Sequence, residues 1–118
     1  MPKYFLGLAE TEESYAENGA AEFDEVMAAH RSFSAAVEAA GCTVVSGEAL
    51  QPSSTATFLR GTRTAGVHRT DNPLPEVKEV FGGYYVIEAP DDETALKLAE
   101  QCPAPFGYVE LRPVWDIG

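Results

Sequence analysis

The sequence predicts one α+β domain of the ferredoxin-like type, a split βαβ fold with a β-hairpin inserted in its middle. Its 118 residues, 45% hydrophobic and 23% charged, are typical of a single globular domain, residues 1–118. Strand and helix patterns follow one another in the order β-α-β-β-β-β-α-β, which is the split βαβ order with one added hairpin. That order predicts two helices on one face of an antiparallel sheet.

The N-terminal third predicts a strand, a loop and a helix. Residues 3–9 form an apolar run with aromatic members, which is typical of a buried strand. The acidic stretch that follows this strand ends at Asn18-Gly19 and predicts a loop. From residue 21 to residue 40, apolar residues recur at spacings of three, four and seven among many alanines and glutamates. This segment predicts an amphipathic helix that ends at Gly41.

The middle of the chain predicts three strands. Residues 42–50 and 54–60 are rich in β-branched side chains and are separated by a proline-containing turn. A shorter strand over residues 64–70 follows a turn at Gly61, so the second and third of these strands form a hairpin. This hairpin is the addition to the basic ferredoxin-like order.

The C-terminal third predicts a loop, a strand, a helix and a strand. Residues 71–79 contain two prolines, which cannot donate to a sheet ladder, so this segment is a loop. Residues 82–89 carry the strongest strand pattern in the chain. The acidic residues that follow Pro90 predict the capped start of a helix that runs to Gln101. Residues 106–114 then form the last strand.

In the predicted fold the helices cover only one face of the sheet, so the other face is open. That face must be polar, line a ligand cavity or be buried against a second copy of the chain. Phe81, Tyr84, Tyr85 and Trp115 argue against a wholly polar face. The sequence therefore predicts a homodimer.

The net charge of −11 is unevenly distributed. Residues 1–48 and 71–118 each carry −7, whereas the segment between them carries three arginines and no acid. The overall charge repels phosphate backbones and anionic membranes, so neither a nucleic-acid nor a membrane partner is expected. Two readings are open for Arg60, Arg63 and Arg69: an anion-binding island, or a solvated hairpin.

Cysteine usage and missing motifs narrow the function classes. Cys42 and Cys102 form no CxxC pair, and the N-terminus has no signal-peptide pattern, so we expect buried thiols in a cytoplasmic protein. No 18-residue apolar stretch occurs. Nucleotide-binding, serine-nucleophile and zinc motifs are absent, and the chain has only two histidines. We expect neither a metal nor an organic cofactor.

Two residues have the chemistry of a general acid and base. His30 lies three residues after Met27 and three before Phe33, which places it on the apolar stripe of its helix, facing the sheet. An imidazole there is either a core histidine with a backbone partner or a proton-transfer group. Asp71, at a strand end before a proline loop, either forms an Asx turn or orients a histidine.

Three further charged residues are candidates for substrate binding. Glu48 interrupts an otherwise apolar strand, and Glu79 ends the proline-containing loop. Arg112 alternates with Glu110 along the last strand. An arginine in that position either holds a substrate carboxylate or pairs with a neighbouring acid.

These motifs together resemble the YCII-related proteins, in particular the branch named for a DGPF motif. The resemblance keeps its order along nearly the whole chain. It is carried by AAHRSF at 28–33, GEALQP at 47–52, TDNPL at 70–74, EVKE at 76–79, GGYYVI at 82–87, AL at 95–96 and ELRPV at 110–114.

The resemblance implies a dimeric α+β barrel, a fold that this family shares with muconolactone isomerases and small cofactor-free monooxygenases. It also implies a pocket that contains a histidine and an aspartate, here His30 and Asp71. One relative acts as a dehydrochlorinase on chloroaromatic compounds, and others accompany or are fused to extracytoplasmic-function sigma factors. At two motif positions the chain departs from the branch, because Asn72 replaces a glycine and Leu74 a phenylalanine. Asn before proline favours extended conformations, which changes the loop that carries Asp71.

Two functions from different classes follow. The first is a cofactor-independent lyase or isomerase that acts on a small cyclic or anionic metabolite, with His30 and Asp71 as its acid–base pair. In this function Arg112 or the basic island holds an anionic group of the substrate. The second is a non-catalytic dimeric domain whose acidic surface binds a protein such as a sigma factor.

Overall fold

The computed structural model describes residues 1–71 and 79–118, apart from the side chains of residues 13–22. Two helices and six strands lie in this part of the chain. The elements are β1 (Lys3–Glu10), α1 (Glu12–Ala39), β2 (Thr43–Ala49), β3 (Thr57–Arg60), β4 (His68–Asp71), β5 (Val80–Glu88), α2 (Asp92–Ala99) and β6 (Gly107–Pro113). A short 3₁₀ turn, Ser53–Thr55, precedes β3.

Four strands form the main sheet, in the order β2-β5-β1-β6. All neighbouring pairs are antiparallel, and Leu6 of β1 lies between Tyr85 of β5 and Leu111 of β6. Strands β3 and β4 form a separate two-stranded sheet. Without that hairpin, the order is the ferredoxin-like arrangement, so the predicted fold class is confirmed.

The core lies between the sheet and the two helices. Alternate residues of β1, Tyr4, Leu6 and Leu8, point to this side and are at most 5% exposed. Phe33 and Val37 of α1 meet them, four residues apart and therefore on one face of the helix. The predicted buried thiols are confirmed as well: Cys42 and Cys102 belong to the same core cluster and are free.

Helix α1 is longer than the sequence predicts. A loop was expected up to Asn18-Gly19, but the helix already begins at Glu12. An internal Asn and Gly each cost a helix about 1 kcal/mol or less relative to Ala. The alanines and glutamates around them, together with the continuation into a packed helix, outweigh that cost. The loop prediction for this stretch is wrong.

The inserted hairpin has shorter strands and a longer turn than the sequence predicts. Strand β3 begins at Thr57 because a 3₁₀ turn occupies the residues before it. In the turn, Gly61 and Arg63 have positive φ angles of 69° and 68°, and the Thr64 hydroxyl donates to the Gly61 carbonyl. Strand β4 therefore starts only at His68.

Part of the predicted proline loop lies outside the described residues. These are positions 72–78, which include Asn72 and Leu74. Among the described residues, no helix has the length and apolar character needed to cross a membrane.

The open face of the sheet carries aromatic side chains. Phe5 and Tyr84 stack there with ring centroids 6.3 Å apart. Phe81 and Tyr108 are 51% and 50% exposed. Tyr85 belongs to the other face, because it packs against the core cluster. Only part of the aromatic set that the sequence assigned to the open face therefore lies on it.

Candidate functional site

A cavity of about 500 Å³ lies between the N-terminal half of α1 and the sheet. Phe23, Val26 and Met27 of α1 form one wall, and Leu8 and Val80 belong to the sheet side. The volume is within the range of small-molecule sites in proteins. The longer helix matters here, because Glu12, at its N-terminal end, lines the cavity.

Glycines on two neighbouring strands shape the sheet side of this cavity. Gly47 of β2 and Gly82 and Gly83 of β5 all line it. A Cβ atom on Gly47 would lie only 2.6 Å from the ring of Tyr85. Gly47 therefore lets the Tyr85 ring lie directly against β2, beneath the helix.

His30 and Tyr85 form a hydrogen-bonded pair in the cavity wall. The His30 Nδ1 atom lies 2.7 Å from the Tyr85 hydroxyl oxygen. The His30 ring centroid is 5.8 Å from that of Tyr85, and the Phe33 ring packs on the tyrosine with a centroid distance of 4.9 Å. Phe33 is 1% exposed, so the core fixes the position of the tyrosine that holds the imidazole. His30 thus faces the sheet, as its spacing predicts.

The surroundings keep both members of the pair neutral. Burial lowers the pKa of His30 below its usual 6.5, and the negative charge of Glu10 acts in the opposite direction. Burial also raises the pKa of the Tyr85 hydroxyl, with a smaller contribution of the same sign from Cys102. At neutral pH the imidazole is therefore a free base and the phenol is protonated. A neutral imidazole is the form that accepts a proton.

Two carboxylates, those of Glu10 and Glu12, lie along the cavity. Glu10 is 8% exposed, and its Oε2 accepts a hydrogen bond from the Phe106 amide at 3.2 Å. The Glu12 carboxylate accepts two hydrogen bonds from Ser53, one from the backbone amide at 2.6 Å and one from the side-chain hydroxyl at 2.8 Å. The exposed Glu48 is also a lining residue, but its cross-strand partner is Tyr84, which places its carboxylate on the open face of the sheet. None of the lining residues in the described part of the chain is a lysine or an arginine.

Of the five residues predicted from the sequence as site residues, the structure places the side chain of one, His30, in the cavity wall. Glu48 is among the lining residues, but its side chain is directed to the open face, and Asp71, Glu79 and Arg112 do not line the cavity. Asp71 ends β4, is exposed, and accepts a 3.4 Å hydrogen bond from Thr57. The hydrogen bond of His30 is to Tyr85.

Arg112 and Glu79 lie elsewhere on the protein. Arg112 forms an ion pair with Glu110 of the same strand, and its side chain is 72% exposed. Arg112 is the cross-strand partner of Phe5, which places it on the open face of the sheet. Glu79 is exposed immediately before β5.

Sequence reasoning missed Tyr85 and Glu10. The sequence predicts both Tyr84 and Tyr85 on the open face of the sheet, whereas strand alternation directs two successive side chains to opposite faces. Gly47 was a second signal, because a glycine within a strand often marks a close approach of another group. The sequence predicts a first strand that ends at residue 9, so Glu10, which is buried at the end of β1, falls outside that prediction.

The described residues contain no group of three His, Cys, Asp or Glu side chains placed to hold a metal ion. The arrangement is an α+β domain with an apolar cavity and one neutral histidine–tyrosine pair in its wall. An apolar cavity of this size has room for a small molecule, and a neutral imidazole is chemically able to accept a proton.

The family model of the YCII-related domain matches residues 5–118, almost the whole chain. The protein therefore belongs to the YCII-related domain family. No curated protein matches the sequence.

Proposed function

We propose that the cavity binds a small cyclic molecule and that His30 moves a proton on it, in a lyase or isomerase step beside a carbonyl. The observation that carries this proposal is the 2.7 Å contact between His30 Nδ1 and the Tyr85 hydroxyl in the wall of an apolar cavity of about 500 Å³. The apolar walls suit a ring, and the paired imidazole supplies a positioned base.

The pair works as a base when Nδ1–H donates to the tyrosine oxygen. In this tautomer Nε2 carries the lone pair, and it has no hydrogen bond to any described residue. The substrate C–H bond next to the carbonyl breaks, its proton goes to Nε2, and its electron pair remains on the substrate as an enolate. Return of the proton to another carbon completes an isomerisation. The charge of Glu10 favours the transient imidazolium.

The other predicted site residues have narrower roles in this proposal. Substrate binding by Glu48 stays a prediction, since its cross-strand partner Tyr84 places its side chain on the open face of the sheet. The pairing of His30 with Asp71 stays a prediction, and within one chain Tyr85 is the partner of Nδ1. Substrate binding by Arg112 and Glu79 also stays a prediction.

Deuterium incorporation tests the proposal without knowledge of the product. The protein is incubated in D₂O with cyclic ketones and butenolides, and loss of the α-proton signal is followed by ¹H NMR. We expect incorporation into at least one probe, a loss of about 10²–10⁴-fold in His30→Gln, and a smaller loss in Tyr85→Phe. Equal rates in wild type and His30→Gln contradict the proposal.

The open face favours a second function, that of an interaction domain. Phe81 and Tyr108 are large, half-exposed side chains on one face of the sheet, which is unusual unless a partner covers them. A second copy is the partner that we infer, since a twofold axis covers both open faces at once. Phe81→Ser is expected to weaken the dimer in light scattering. A sigma-factor partner stays a prediction that co-purification tests.

A further inference from the structure

The hairpin formed by β3, its turn and β4, residues 57–71, stands apart from the main sheet; we call it the arm. All residues of both strands are exposed. Phe58 and Leu59, at 38% and 56% exposure, present apolar surface beside Arg60.

The arm is basic although the protein is acidic. It holds Arg60, Arg63 and Arg69, three of the eight lysines and arginines in a chain with 19 acids. The register pairs Leu59 with Arg69 on one face of the arm, whereas Arg60 pairs with His68 on the other face, which also carries Phe58. No ion pair joins these arginines to a described residue of their own chain.

The mouth of the cavity has the complementary character. Phe23, Met27 and Leu50 line it and are 53%, 40% and 52% exposed, which is a large apolar area to leave in water. Glu12 and Asp24 are exposed carboxylates on α1, beside these side chains. Asp24 follows Phe23 directly and lies three residues before Met27, hence on the adjoining flank of the helix.

We propose that the arm of one chain docks on the acidic mouth of the cavity of a second copy. Phe58 covers the exposed apolar side chains of α1, and Arg60, two residues further on and therefore on the same face of the arm, faces the carboxylates beside them. Opposite charges around an apolar centre are the usual anatomy of a specific interface. Because both chains carry an arm and a mouth, one twofold contact satisfies the pattern twice.

The second copy is favoured over the chain's own mouth by the position of the arm. The turn before β3 is held beside its own α1, because Ser53 donates to Glu12. Beyond this point the exposed strands do not lie on their own domain. An element held at its base and free along its length can reach a neighbouring chain.

Docking of the arm would make the site composite. The cavity lining contains carboxylates and, among the described residues, no lysine or arginine. The arm of the second copy supplies arginines at the mouth, where they bring positive charge to an entrance that otherwise disfavours anions. The inference rests on the proposed function only because it treats this cavity as the ligand site. Docking of the arm itself can be tested by measuring association of the two chains, without any enzymatic reaction.

A double-cysteine variant, Asp24→Cys with Arg60→Cys, separates the possible arrangements. After mild oxidation we expect a covalent dimer at twice the chain mass of 12.7 kDa on a non-reducing gel. An internally linked monomer, or no link at all, overturns the proposal. The native thiols are buried and do not compete. Lys97→Cys with Arg60→Cys is the matched control, since Lys97 is an exposed cation on α2, and we expect no link from it.

Charge reversal provides a second measurement on noncovalent dimers. Arg60→Glu with Arg69→Glu should raise the dimer dissociation constant about tenfold or more, and mixing this chain with Asp24→Arg should recover part of the loss. Unchanged dissociation constants overturn the proposal. His30→Gln should form the cross-link of the double-cysteine variant normally, so failure of the proton-transfer function and failure of docking are distinguishable.

Discussion

The main domain and the arm are stabilised in different ways. In the main domain, Leu6 and Ile87 are completely buried on neighbouring strands, and two helices cover them. In the arm, every strand residue is exposed, and a local turn with its Thr64 hydrogen bond sets the shape. An isolated two-stranded hairpin is marginally stable in water. The comparison shows that burial of apolar side chains holds the domain that carries the cavity, whereas strand pairing and a local turn hold the arm.

The largest expected effect comes from truncating the same side chain in both regions. Leu6→Ala removes a fully buried side chain and should lower the free energy of unfolding by about 2–5 kcal/mol. Leu59→Ala, in the arm, should change it by about 0.5 kcal/mol or less. Urea unfolding followed by circular dichroism measures both. A loss of similar size in the two variants would mean that the arm belongs to the core.

Substituting alanine for one glycine in each region compares how tightly the backbone is packed in the main domain and in the arm. A Cβ atom on Gly107 at the start of β6 would overlap the Ala9 carbonyl oxygen, whereas one on Gly66 in the arm turn has nothing within 4 Å. Gly107→Ala should therefore cost about 1–3 kcal/mol, because strand backbone has to move. Gly66→Ala should be close to neutral. Thermal unfolding monitors both, and a stable Gly107→Ala variant would contradict the tight β1–β6 pairing.

The smallest effect is a pH dependence that depends on His30. Because burial lowers the pKa of His30 below 6.5, the unfolded chain binds a proton more readily than the folded one. Stability from this group is therefore present above pH 6.5 and is lost as the pH falls toward the folded-state pKa.

We expect His30→Gln to lose less stability than wild type between pH 7 and pH 5 (roughly the range in which histidine titrates). Urea midpoints at several pH values measure the difference. His68→Gln, a substitution in the exposed arm, leaves His30 in place and serves as the control. If both variants follow the wild-type profile, His30 is not held in its neutral form by the fold.

Much of the fold was predictable because its signals are local. Apolar and β-branched runs indicated the strands of the main sheet, and the three–four spacing placed His30 on the sheet-facing side of α1. The start of α1 was not predictable in this way, since Asn18-Gly19 is a turn signal that a long packed helix overrides. In the site, Tyr85 was missed because its contact with His30 spans 55 residues and depends on the register of β5.

By itself, the sequence determined the α+β order of elements, the inserted hairpin and the side of the helix on which its histidine lies. These follow from periodicity and composition, which act over a few residues. Only the tertiary structure decided that His30 meets Tyr85, that Glu10 is buried near it, and that Asp71 stands on the exposed arm rather than at the cavity. The physical reason is that strand register and helix length are set by the packing of distant segments against one another, which local patterns do not encode.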